Sequence, residues 1–178
     1  MSEAVRVAIA LGSNLGDPEA HVRRGFEDLA ALPGTTVLAR SKLHRTAPVG
    51  YADQPDFVNA CALVGTSLAP RALLDELLAI EKRHGRVRGI PNGPRTLDLD
   101  IILYGDRAID EPGLCIPHPR AREREFVMKP LLEVWPDAIV VPAKAGTQAK
   151  AHAPGLDSRL RGNDVNRGND VNRGNDDR

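Results

Sequence analysis

The 178-residue sequence predicts an α+β fold of the ferredoxin-like βαββαβ type, a mainly antiparallel sheet with helices on its faces. Three observations lead there. Short apolar runs bounded by turn residues mark at least four strands. Two stretches of helical periodicity each sit between such runs, which is the order of a split βαβ unit. A third helical stretch follows the last long strand.

The elements read as follows. Residues 5–11, "VRVAIAL", form a short apolar strand stopped by "GSNLGD". Asp17 then Pro18 is an N-cap followed by a first-turn proline, and Val22, Phe26, Leu29 and Leu32 recur at helical spacing. A second strand spans 35–46, and a proline- and glycine-containing loop leads to a third at 57–66. Residues 67–85 are the strongest helix, with Ser67 expected to cap it and Gly85 to end it. The loop "RVRGIPNGPR" precedes a fourth long strand, "TLDLDIILYG". A short strand is expected near 107–109, then a proline-broken loop, then a helix over 123–135.

Beyond residue 141 the composition changes. Large apolar residues almost vanish, and "RGNDVN" repeats at Arg161 and Arg167 before "RGNDDR". Such a tract cannot offset its ordering entropy by burial, so the division expected is a catalytic domain at 1–142 and a disordered tail at 143–178. The formal net charge is zero, which gives no bulk attraction to nucleic acid or an anionic membrane. The N-terminal apolar run is too short to span a bilayer and lacks signal-peptide flanks. Two cysteines without metal-ligand spacing suit reduced thiols. The expectation is a cytoplasmic protein, a monomer, that binds small molecules.

The chemistry concentrates in "GPRTLDLDIILYG". Alternate strand residues share a face, so Asp98 and Asp100 point together, about 7 Å apart along the strand. Leu97, Leu99 and Ile101 face the other way. Two carboxylates so placed repel one another unless something positive lies between them. Magnesium suits such a pair, since it takes one or two carboxylates and completes its shell with water and substrate phosphate. A bare Asp-x-Asp also fits a solvated acidic face. Its flanks tip the balance: Arg86, Arg88 and Arg95 precede it, and His118, Arg120, Arg122 and Arg124 follow. Guanidinium forks match phosphate oxygens, and no Walker-type glycine loop is present to hold them. With one Trp, two Tyr and three Phe, aromatic placement is informative. Phe57 and Phe126 could sandwich a flat heterocycle whose edge Asn59 reads, although each also fits a core position.

The motifs "ALGSNLGD", "RTAPVG", "DQPDFVNA", "GRVR", "GPRTLDLDIILYG" and "IPHPRAREREFV" occur in that order between residues 8 and about 135. Together they resemble the 6-hydroxymethyl-7,8-dihydropterin pyrophosphokinase family of folate biosynthesis. The resemblance implies transfer of the pyrophosphoryl group of ATP to the pterin hydroxymethyl group, with release of AMP and two magnesium ions as cofactor. It implies Asp98 and Asp100 as metal ligands. Thr46, Val49, Phe57, Asn59 and Phe126 fall where the family holds the pterin. Arg86, Arg88, Arg95, Ile101, His118 and Arg124 fall where it holds ATP, and Glu81 matches a further motif position. Asp98, Asp100, Arg86 and Arg95 form the expected catalytic set.

Three departures from the family pattern stand out. Asn92 occupies the place where the family often carries tryptophan, Pro119 follows His118 where some members have tyrosine, and the repeat replaces the C-terminal end. Two other functions share part of the pattern. A nucleotidyl transferase or cyclase would use the aspartate pair without "DQPDFVNA", and a non-catalytic binding module would need neither the pair nor the arginine loops. The loops 47–55 and 86–95 have the glycine and proline content of lids.

Overall fold

A computed structural model describes residues 2–87 and 89–139. Arg88 and the tail expected at 143–178 lie outside the described residues.

The chain runs β1 (Val5–Ser13), α1 (Pro18–Ala30), β2 (Thr35–Arg40), β3 (His44–Thr46), β4 (Phe57–Thr66), α2 (Pro70–Arg83), β5 (Asp98–Tyr104), β6 (Ile109–Glu111), β7 (Leu114–Ile116) and α3 (Glu125–Val134). The main sheet has the order β2-β4-β1-β5, with β3 also on β4. Every pairing in it is antiparallel. Each helical crossover therefore skips a strand: β1-α1-β2 passes over β4, and β4-α2-β5 passes over β1. This is the α+β ferredoxin-like arrangement expected from the segment order.

Strand alternation divides the core in two. Val7, Ile9, Leu11, Leu97, Leu99 and Ile101 point toward α1 and α2, meeting Val22, Phe26, Leu29, Leu73, Leu77 and Ile80. Ala8, Ala10, Cys61 and Ile102 point the other way, toward Val127, Leu131 and Trp135 of α3 and its C-terminal extension. Each large aliphatic side chain so buried contributes about 1.5–3 kcal/mol of transfer free energy. Gly25 lets α1 seat closely on β1, because a Cβ there would lie 2.9 Å from Leu11 Cδ2.

Several local expectations change. Asp17 caps α1 as expected, accepting from the Ala20 N–H at 3.1 Å. Ser67 does not cap α2: the N-cap is Ala69 with Pro70 after it, and the Ser67 hydroxyl donates to Gly34 O instead. The single strand expected at 35–46 is two, because the Ser41 N–H turns in to Cys61 O. The long strand carrying the aspartates starts at Asp98 rather than Thr96. The short strand expected near 107–109 is β6, and it pairs with β7 inside what reads as a proline-broken loop. A 3₁₀ turn at Ala121–Glu123 delays α3 to Glu125. Both cysteines are free. Among the described residues no helix is long and apolar enough to cross a membrane.

Candidate active site

The sheet register places the aspartates over small neighbours. Asp98 lies opposite Gly12 and Asp100 opposite Ala10, on the face that carries α3. Gly12 in turn lies opposite Asn59 of β4. A Cβ on Gly12 would approach Asn59 Oδ1 to 3.0 Å, so glycine keeps an open floor between the aspartate and the asparagine. Asn59 donates from Nδ2 to Thr46 Oγ1 at 2.6 Å, which fixes the orientation of its amide.

A cleft of about 410 Å³ opens over that floor, lined by Gly12, Thr46, Val49, Phe57, Asn59, Asn92, Arg95, Asp98 and Phe126, with Ala47 at its rim. All five residues expected to hold the pterin line it. A second cleft of about 400 Å³ runs along the outer edge of β5 and includes Glu81, Arg86, Asp100, Ile101 and His118. Its apolar wall is Leu74, Leu78, Leu99 and Leu114, and Cys115 also reaches it. Asp98 thus faces one cleft and Asp100 the other. The residues expected to hold ATP divide: Arg95 lines the first cleft, and Arg124 lines neither. Arg124 is buried, with its guanidinium 5.7 Å from the Phe126 ring centroid.

β5 is an edge strand, and residues of the second cleft, one through its side chain and one through its backbone, satisfy its outward backbone. The Leu99 N–H donates to Glu81 Oε1 at 2.8 Å, and the His118 N–H donates to Ile102 O at 3.0 Å. Glu81 is therefore not a solvated helix acid: it is 4% exposed and caps the metal-candidate strand. Burial and the nearby Asp98 charge push its carboxyl up to about 7, against the pull of Arg86 and the Leu99 N–H. Its other oxygen accepts from Arg86.

Asp98 is the focus of the charge. Arg86 Nη1 lies 3.0 Å from Asp98 Oδ1, and Arg95 Nη1 lies 3.1 Å from Asp98 Oδ2. Burial opposes the Arg86 cation, but Asp98, Glu81 and Asp100 outweigh it and raise its proton affinity. The positive charge that the aspartate pair requires is supplied here by guanidinium groups.

A buried asparagine organises the loops. Asn14 Oδ1 accepts from the Arg95 N–H at 2.9 Å, and the Asn14 N–H donates to Arg95 O at 3.1 Å. Asn14 Nδ2 donates to Gln54 Oε1 and to Pro55 O, both at 3.0 Å. Gln54 Nε2 then donates to Asn92 O at 2.8 Å. Three loops are tied together by one side-chain chain. Sequence reasoning gave Asn14, Gln54 and Gly12 no role, although all three lie inside the quoted motifs "ALGSNLGD" and "DQPDFVNA". Asn92, at the expected tryptophan position, takes a left-handed φ of 56°, which asparagine tolerates better than most side chains.

Residues 8–136 match the family model described as 7,8-dihydro-6-hydroxymethylpterin-pyrophosphokinase. The chain belongs to this family. A 2-amino-4-hydroxy-6-hydroxymethyldihydropteridine pyrophosphokinase of Pseudomonas aeruginosa is 48% identical over 132 residues, covering 74% of this chain and 82% of that one. The protein of the same name from Haemophilus influenzae is 45% identical, with the same coverage. The folic acid synthesis protein fol1 of Pneumocystis carinii is 47% identical over 133 residues, which are 75% of this chain and only 18% of that protein. As a pyrophosphokinase-family chain, this protein has its two clefts and both aspartates within the matched region.

Proposed function

We propose that this chain transfers the pyrophosphoryl group of ATP to the hydroxymethyl group of 6-hydroxymethyl-7,8-dihydropterin, giving AMP and the pterin diphosphate, in cytoplasmic folate biosynthesis. The observation that carries the reading is the carboxylate pair set between two clefts of different character. One cleft offers two phenylalanine rings, an oriented amide and a threonine, which suits a flat heterocycle with polar edges. The other offers an apolar wall beside arginine and histidine, which suits a nucleotide. Both clefts are lined by residues of this one chain, which supports the monomer as the working unit.

The donor set fits magnesium. Asp98 and Asp100 are buried hard-oxygen donors, and Asp98 already holds two cations. Among the described residues no cluster of three or more His, Cys, Asp or Glu could hold a metal. Two magnesium ions, when bound, supply phosphate charge neutralisation and make the pterin hydroxyl easier to deprotonate.

The remaining work falls to the chain. Phe57 and Phe126 stack the pterin, and Asn59, held by Thr46, reads its edge. Val49 closes the mouth. Glu81, Ile101 and His118 position the nucleotide along β5. Arg86 and Arg95 exchange Asp98 for phosphate oxygens once the nucleotide is in place, and Arg88 and Arg124 add to the basic field. The pterin hydroxyl oxygen attacks the β-phosphorus, and its proton passes to solvent water. The bond from that phosphorus to the α-bridging oxygen breaks, and its electron pair leaves with AMP. Positioning and charge neutralisation account for the acceleration, with no covalent intermediate. Incubation with Mg-ATP and the dihydropterin should give AMP and the pterin diphosphate in equal amounts. ADP or free pyrophosphate as the product would overturn the reading.

A further inference from the structure

A chain of three titratable side chains lies outside both clefts, in the seam between α1 and the C-terminal end of α2. His84 Nε2 is 2.7 Å from Asp28 Oδ2, and His84 Nδ1 is 3.0 Å from His21 Nδ1. The ring centroids are 5.3 Å apart, which is the nitrogen separation plus one ring radius on each side. The two nitrogens therefore face head-on. A metal ion would need their lone pairs to converge off that line, so the geometry is that of a shared proton.

The partners assign the hydrogens. A carboxylate only accepts, so His84 Nε2 carries a hydrogen for Asp28. In the neutral pair, His84 Nδ1 is then the acceptor and His21 Nδ1–H the donor. One added proton preserves the contact: His84 donates from Nδ1 to a His21 that has moved its own hydrogen to Nε2, and the new charge faces Asp28. A second added proton sets N–H against N–H, and the contact must open.

The seam holds the base of a functional loop. His84 is the C-cap of α2, its N–H donating to Ile80 O. Gly85 follows in the left-handed region at φ 73°, and then comes Arg86, whose N–H donates to Glu81 O and whose guanidinium reaches Asp98. We propose that His21 and His84 form a proton-loaded clamp on the base of the Arg86 loop, closed while the pair holds at most one added proton and opened by the second. His84 is thus a positioning residue for the phosphate-binding arm, a role that rests on the pyrophosphokinase reading.

Charged groups from both helices and their ends face the pair among the described residues. Asp17 and Arg24 face His21, Asp28 faces His84, and Arg83 lies 3.7 Å from the far oxygen of Asp28. Burial, His84 and Arg24 together lower the His21 proton affinity below its ordinary value, against the opposing pull of Asp17. The folded chain then binds this proton less readily than the unfolded one. The stability the contact contributes is full above the ordinary imidazole range and is lost as pH falls below it.

The test compares the parent chain with His21→Asn, whose amide keeps a donor and an acceptor near the Nδ1 position but does not titrate. His21→Gln serves as a second non-titrating variant. The readouts are exchange protection of the Gly85 and Arg86 amides and Mg-ATP affinity by calorimetry, each at about pH 7.5 and pH 5. In the parent both should fall about fivefold or more on acidification. In the variants the falls should be several-fold smaller, what remains coming from Glu81, whose carboxyl beside Arg86 also takes up a proton over this range. Equal falls in parent and variants, or no fall in the parent, overturn the clamp. Exchange protection needs no turnover, so a chain that fails the product assay yet shows this contrast refutes the pyrophosphokinase reading and leaves the clamp standing.

Discussion

Asp98 holds the buried Arg95 and the half-buried Arg86 and is also one of the two expected metal ligands, so its substitution should be felt twice. Asp98→Asn keeps the shape but leaves Arg86 and Arg95 facing a neutral amide, and an uncompensated buried charge is costly. Asp100→Asn removes the carboxylate expected to be the second metal ligand, in the cleft proposed for the nucleotide. Each variant should lose about 10²-fold or more in AMP release, the scale on which removing a transition-state charge partner acts. Asp98→Asn should also melt at a lower temperature than the parent. Near-normal turnover in either variant would remove the metal assignment. The alternation of Asp98 and Asp100 with leucines was legible in the sequence because strand periodicity is local. The pairing of Asp98 with Arg86 and the capping of Leu99 by Glu81 were not legible, since both depend on where α2 ends relative to β5.

At the scale of elements, the loops are coupled through Asn14 and Gln54 rather than placed independently. Asn14 fixes the Arg95 backbone, and Gln54 carries the same chain of hydrogen bonds on to Asn92. Asn14→Ala and Gln54→Ala each break the one bond the two side chains share, so their effects on kcat/KM should not add. A double-mutant cycle should give a coupling of at least about 0.5 kcal/mol. Strict additivity would show that the three loops act separately. Helices and long strands were readable because apolar spacing announces them. The β6–β7 hairpin was only half readable: a short strand was expected near 107–109, but Pro112 in its turn and Pro117 just after it read as a broken loop, and its three-residue strands are too short to show a period. The division of the arginines between clefts was hidden for a related reason: Arg95 is oriented by Asn14, which lies 81 positions earlier.

At the scale of the molecule, the site exists because two split βαβ units place β1 between β4 and β5. The small residue Gly12 thereby sits between Asn59 and Asp98, and Ala10 between Cys61 and Asp100. α3 covers the same face from Val127 onward, which brings Phe126 to the rim of the first cleft. Every element needed for this arrangement ends by residue 139, and the family match ends at residue 136. We therefore propose 1–142 as the catalytic unit. The sequence beyond it has few large apolar side chains to bury and several trypsin sites, beginning with Lys144 and Lys150. Limited trypsin digestion should remove this segment first and leave a resistant fragment ending near Lys144. That fragment should keep the parent's rate of AMP release and melt within a few degrees of it. A tail protected from cleavage, or a clipped chain that loses turnover, would show that residues after 142 belong to the catalytic unit and that the division drawn from composition is misplaced.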